Sequence, residues 1–256
     1  MKTFFRANGK MILFLLVLSL IGSLTVIPYL SYTVVLPPEV AVPKSAILLS
    51  SVVNFMVFSL VSILVGLTFG RRVGLGAPHL SAWLGNAGRA PLSGKSLLGT
   101  AVVGAVAILL TVGVDLLFQP HLPALLAGSA GEDIVPFWAG LLTMFQGGIN
   151  EELWMRFGLM TFVVWLLKTW FARKAAKTPS WMYVVGIVFA AVLFGVGHVS
   201  AAPVMFAEVT TVLVVRIIVV NSIAGLFFGA LYWKKGLEHA IVAHMIGDIV
   251  LHAFLG

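Results

Sequence analysis

The chain has no cysteine. Disulfides and thiolate metal sites are therefore excluded, and redox chemistry says nothing about compartment. Charge is scarce as well. Only 10% of residues are Asp, Glu, Lys or Arg, where a soluble globular chain carries about 25%. There is no Gly-rich phosphate-cradling loop, no H-E-x-x-H zinc-protease motif, no internal repeat and no low-complexity tract. The period-2 alternation expected of barrel strands is also missing. What is present is apolar: 60% of residues, gathered into runs long enough to cross a bilayer. This is the composition of an integral membrane protein.

Such runs fall at about 11–33, 46–69, 97–118, 181–199, 209–232 and 238–255, each near the roughly 20 residues a crossing needs. The region 135–167 is longer. Only helices and closed barrels satisfy the backbone in lipid. The predicted fold is therefore all-α, a polytopic transmembrane helical bundle of about seven spans, or eight if the 135–170 region crosses twice. Residues 1–256 read as a single integral membrane domain. Lys2, Arg6 and Lys10 ahead of the first run imitate a signal peptide. The run is too long, and no small-residue cleavage site ends it, so it reads as the first span.

The net charge is +7. The basic residues lie in short groups between apolar runs, which is a topology pattern rather than a nucleic-acid footprint, and no nucleic-acid partner is expected. Let 135–167 cross once, with the N-terminus inside. Lys2, Arg6, Lys10, Arg71, Arg72, Arg89, Lys95, Lys168, Arg173, Lys174, Lys177, Lys234 and Lys235 then lie in the cytoplasm. Only Lys44 falls outside, while Arg156 and Arg216 sit within spans. A second crossing would move the groups at 168–177 and 234–235 outside. The charge bias favours one long crossing, tilted or broken at Gly147 and Gly148, in a cell membrane with a cytoplasmic N-terminus. The loop 70–95 is expected along the cytoplasmic surface, with Trp83 and Leu84 at the interface.

Ionisable residues inside apolar runs are costly, and they mark functional sites by default. Here they are Glu151, Glu152, Arg156, His198, His244 and Asp248. Glu152 and Arg156 are four apart and share a helical face, so they can pair. Glu151 points about 100° away around the helix, free to face a cavity. The doublet thus divides into a brace and a candidate base; the bland alternative is one ion-pair cluster holding helices together. His198 shares a face with Phe194, and His244 with Asp248. Each has a plain reading, as an interface histidine and as a hydrogen-bonded packing pair. Together, two imidazoles and three carboxylates are ingredients of hydrolytic chemistry. Asp115 and Arg216 are assigned structural roles. Glu238 and His239 are placed at the cytoplasmic edge in solvent, His79 and His121 in loops, and His252 near the C-terminus. Gly128-Ser129-Ala130-Gly131 imitates a serine-protease sequence but falls in an outer loop beside Glu132 and Asp133. Asp115 and Asp248 could form an aspartyl pair, though nothing else supports it.

Glu151-Glu152-x-x-x-Arg156, Phe194-x-x-x-His198 and His244-x-x-x-Asp248 resemble the three motifs of the CPBP family, also called the Abi or CAAX-protease-and-bacteriocin-processing family. Its members are intramembrane endopeptidases related to type II CAAX prenyl endopeptidase. The resemblance covers about 135–252. It implies an enzyme that hydrolyses a peptide bond of a membrane-associated or lipidated, CAAX-like protein or peptide. Glu151 would act as general base on a water, with His198 helping to hold it. His244 and Asp248 would stabilise the oxyanion or ligate a metal, and Glu152, Arg156 and Phe194 would support the site. The last position is often asparagine in the family, and here it is Asp248. Asparagine can donate to an oxyanion and an ionised aspartate cannot, so Asp248 must be protonated, orient His244 or bind a cation.

The cofactor is accordingly either none or a divalent metal such as zinc, with Glu151, His198, His244 and Asp248 as the possible ligands. The expected partners are the peptide or lipidated substrate and the bilayer. The alternative reading is a non-catalytic binding or immunity protein, or a small transporter, using the same polar cavity. One tension remains. His198 lies near the outer end of its span, and His244 only about 9 Å along the helix from the cytoplasmic end of its own. Either the chain after His198, with Pro203, folds back into the protein, or the fifth span begins later than Trp181.

Overall fold

The computed structural model describes residues 2–34, 36, 41–85, 92–125 and 135–251; most of these are helical, and they include one isolated antiparallel bridge between Leu125 and Phe206. Helix α1 (Lys2–Thr25) runs on into α2 (Ile27–Thr33), followed by α3 (Lys44–Val73), the short α4 (Pro78–Trp83) and α5 (Gly94–Phe118). Next comes α6 (Phe137–Phe145), two π-helical segments (Gln146–Glu151 and Leu153–Met160) and α7 (Thr161–Phe171). Helices α8 (Ser180–His198), α9 (Ala202–Met205), α10 (Thr211–Lys235) and α11 (Leu237–Asp248) complete the described chain. Five stretches, Phe4–Thr33, Lys44–Val73, Gly94–His121, Ser180–Ala201 and Thr211–Lys235, are long and apolar enough to cross a membrane, with mean hydropathy between 2.2 and 2.5. Their outward faces carry bare Leu, Val and Phe, such as Phe58, Leu109, Leu117 and Phe189. In water such surfaces would be an aggregation hazard; in lipid they are ordinary.

Residues 137–171 form one uninterrupted helical run. The break expected at Gly147 and Gly148 does not occur. The chain stays helical and widens to i→i+5 bonding, a form that clusters at functional sites. The two glycines serve close approach instead. A Cβ on Gly147 would collide with the Asp248 carboxylate, and one on Gly148 with the Met245 side chain. That absence of side chains lets α11 lie directly on the π segment.

The groups at 71–73, 168–178 and 234–237 lie at one end of the bundle. Lys168 Nζ donates to Arg72 O at 2.9 Å, Thr178 Oγ1 and the Tyr183 hydroxyl donate to Val73 O, and Leu237 N donates to Gly76 O at 3.0 Å. At the other end, Lys44 Nζ donates to Ser31 O at 2.6 Å, and α2 packs against α6. The 137–171 run therefore leads from the α2 end to the Arg72 end. After α8 the chain folds back through a 3-10 turn (Val199–Ala201) and α9, and Ala202 packs with Leu213 and Ile217. This is the first of the two resolutions foreseen for the His198 geometry; α8 itself begins no later than expected.

Several polar residues sit differently from expectation. His239 is buried rather than solvated, with Nδ1 2.6 Å from Thr100 Oγ1. Glu238 Oε1 accepts from Leu80 N at 2.6 Å and so satisfies a free N–H in the first turn of α4. Apolar packing of α4 and α5 on the start of α11 displaces the expected water. His79 lies in α4, and His121 in a 3-10 turn at the end of α5, rather than in loops. Trp83 is exposed and packs on Phe14, with ring centroids 5.3 Å apart. Asp115 pairs with Arg216, Nε to Oδ1 2.5 Å. Arg89, Ser129, Glu132, Asp133, His252 and the last residues of the 238–255 run lie outside the described residues.

Candidate active site

The site is built where the π segment, α8, α10 and α11 meet. Arg156 is almost wholly buried, yet its surroundings suit a cation. Nη1 lies 2.9 Å from Glu152 Oε1, and Nη2 donates to Gly225 O at 3.0 Å. The guanidinium lies between two rings, 5.3 Å from the centroid of Phe194 and 5.5 Å from that of Phe228. The carbonyl of Gly225 is reachable because α10 runs close to α8 there: a Cβ at 225 would stand 3.0 Å from Ala191 Cα and 3.4 Å from Arg156 Nη2.

Glu152, with no exposed surface, also contacts His244 Nδ1, from its Oε1 at 2.7 Å. A carboxylate ionised against Arg156 can only accept, so Nδ1 carries the proton. The ring is stacked on Phe228 at 4.5 Å. Its other nitrogen, Nε2, faces Glu151 Oε2 at 3.7 Å and Asp248 Oδ1 at 3.6 Å, both beyond hydrogen-bonding distance. Glu151 keeps a fifth of its side chain accessible, whereas Glu152 keeps none.

His198 stands apart from this group. It is half-buried, its Nδ1 donates to Phe194 O at 2.8 Å, and its ring sits edge-on to Phe194 at 4.6 Å. Nδ1 must be the donor because a carbonyl only accepts, which leaves Nε2 of the neutral ring as an acceptor. Phe194 also contacts His244, with centroids 6.1 Å apart, and so forms the link between the two imidazoles. Glu151, Glu152, Arg156, His244 and Asp248 thus converge directly, and His198 joins through Phe194.

The four possible metal ligands are not drawn together as one set. Among the described residues, no group of three or more His, Cys, Asp or Glu side chains is placed to hold an ion. His244 Nδ1 is held by Glu152 and its Nε2 faces Glu151 and Asp248, whereas His198 makes its contacts with Phe194 rather than with the carboxylates.

A buried polar network behind the doublet escaped the sequence reading. Asn150, wholly buried, donates through Nδ2 to Gln146 Oε1 at 2.6 Å, Ser23 Oγ at 3.0 Å and Ser19 O at 3.2 Å. Ser59 Oγ lies 3.4 Å from Asn150 Oδ1 and accepts from Trp154 Nε1 at 2.8 Å. The network fastens the π segment to α1 and α3. The signal was available: Gln146 and Asn150 are polar and four apart in an apolar run, as are Ser19 and Ser23.

Comparison with known families agrees with the motifs. Residues 133–250 match the model of the type II CAAX prenyl endopeptidase Rce1-like family. This segment is an Rce1-like domain. The matched region contains the glutamate doublet, Arg156, His198, His244 and Asp248, and its assignment is consistent with a CPBP-family intramembrane protease. No curated protein and no solved structure gave a significant match. The Rce1-like match and the five apolar helices found among the described residues support a membrane protein with a domain of the CAAX-processing protease class.

Proposed function

We propose that this protein is a glutamate-dependent intramembrane endopeptidase that cleaves a membrane-associated or lipidated, CAAX-like protein or peptide. The observation that carries this reading is the single imidazole of His244, with Glu152 on one nitrogen and Glu151 and Asp248 facing the other. Glu151 is the partly accessible carboxylate, and it takes a proton from the attacking water. His198 Nε2 accepts the second hydrogen of that water. The tetrahedral oxyanion is stabilised by the imidazolium form of His244, whose Nδ1–H stays on Glu152 while its Nε2–H donates, and by Asp248 in its neutral form, which supplies an O–H donor. Glu151 then returns its proton to the leaving amine. Glu152 and Arg156 hold the His244 ring in place and do not touch substrate.

The whole chain acts as one membrane domain with seven crossings and a cytoplasmic N-terminus, in a cell membrane. The 137–171 run supplies one crossing, and α11 belongs to the last. Glu151→Gln keeps the shape and removes the proton acceptor, a loss typically worth about 100- to 10,000-fold in rate. The test is turnover of a CAAX-like peptide library in liposomes by wild type and Glu151→Gln. Near wild-type turnover by the folded variant would end the mechanism and favour a binding or immunity role for the same cavity.

A further inference from the structure

A second site lies away from these residues, at the Arg72 end of the bundle. A cavity of about 500 Å³ opens between the first turns of α1, the end of α3, the 74–78 turn, α4 and the end of α10. That volume is in the range of small-molecule sites, about 300–1,000 Å³. Arg71 and Lys235 line it, with Asn8 and Ser81 as further polar groups, and no Asp or Glu is among its lining residues. Arg71 makes no hydrogen bond or ion pair with the described residues. Phe157 and Tyr232 also line the cavity, each almost wholly buried. None of Glu151, Glu152, Arg156, His198, His244 and Asp248 lines it, so the cavity is distinct from the proposed catalytic group.

We propose that this cavity binds the phosphate of an anionic phospholipid headgroup. Two cations without a lining carboxylate select an oxyanion. The choice of a lipid over free phosphate follows from position. Both cations end long apolar helices, Arg71 in the last turn of α3 and Lys235 at the close of α10, so the cavity lies at the level of headgroups. Met11, Leu67 and Trp233 give the same cavity an apolar wall for the glycerol and first methylenes. A basic pair at the same end of the bundle, Arg173 and Lys174, is exposed and does not line it. That pair provides an internal control for general attraction of basic residues to acidic lipid.

The experiment is native mass spectrometry of the full-length protein released from vesicles of phosphatidylglycerol, phosphatidylcholine or their mixture. One retained phosphatidylglycerol per protein is expected, preferred over phosphatidylcholine. A cation near a membrane surface contributes about fivefold in affinity, so Arg71→Ala/Lys235→Ala should weaken retention about thirtyfold. Arg173→Ala/Lys174→Ala should leave it within about threefold of wild type. Should the alanine pair not fold, Arg71→Gln alone carries the comparison, with a loss of about fivefold. Equal losses in the cavity and control pairs, or no preference for phosphatidylglycerol, would overturn the proposal. So would full displacement of the lipid by millimolar inorganic phosphate, which would make the site one for the free ion.

Discussion

Removing Arg156 or Glu152 should destabilise the protein far more than removing Glu151. Arg156 and Glu152 are 1% and 0% exposed as side chains, at 2.9 Å. Breaking such a pair leaves one charge buried and unpaired, at a cost of about 3–5 kcal/mol. An ordinary interhelical hydrogen bond in a membrane protein averages only about 0.6 kcal/mol, so loss of the Gly225 O contact alone cannot account for that figure. Glu151 is a fifth exposed, and its contact with His244 is 3.7 Å. Its replacement by Gln should cost less than about 1 kcal/mol, as partly exposed substitutions do. A double variant, Glu152→Leu/Arg156→Met, removes both charges at similar volume, and its loss should fall below the sum of the single losses by about 2 kcal/mol or more. The assay is reversible unfolding in mixed detergent micelles, read by tryptophan fluorescence, for the two single variants, the double variant and Glu151→Gln. Additive losses, or single-variant losses below about 1 kcal/mol, would show that the pair does not brace the site.

Three further outcomes are expected. Single cysteines in place of Lys174 and Lys235 should be labelled by an impermeant maleimide from one side of sealed vesicles and one in place of Lys44 from the other; labelling of Lys44 and Lys174 positions from the same side would refute a single crossing by 137–171. Asn150→Ala should lower kcat by about tenfold with little change in KM, by releasing the π segment that carries Glu151, and Asn150→Gln, which keeps the amide donor, should recover part of it; an unchanged kcat would make the network purely structural. Asp248→Asn retains an N–H donor for the oxyanion, so turnover should stay within about threefold of wild type; a loss beyond about 100-fold would mean that Asp248 serves as a carboxylate.

The helical class and most apolar runs were legible because hydrocarbon imposes one rule on every residue it touches. The Glu152–Arg156 contact was legible because its partners lie four apart on one element, where sequence spacing fixes distance. Contacts between elements were less so. Nothing in the spacing of Glu238 and His239 says that α4 and α5 will cover them. The same holds for Asn150, whose partners Ser19, Ser23 and Ser59 come from helices far away in sequence. Gly147 and Gly148 were visible as an anomaly but misread. A glycine pair signals either a break or a close neighbour, and only the presence of α11 decides between them.

The π widening bears on the doublet itself. On a regular α-helix adjacent side chains diverge by about 100°, which is why the sequence divides Glu151 from Glu152. A helix bonded i→i+5 turns less per residue, so adjacent side chains diverge less. Both glutamates can then reach one imidazole, Glu152 at Nδ1 and Glu151 opposite Nε2. The glycines make the same approach possible from the other side, by admitting α11 until His244 and Asp248 meet the segment. The division of roles therefore does not come from direction around the helix. It comes from burial: Glu152, held between Arg156 and His244, has no exposed side chain, while Glu151, one residue earlier, keeps a fifth of its own accessible. In the proposed mechanism the base and the brace are the two sides of a single histidine.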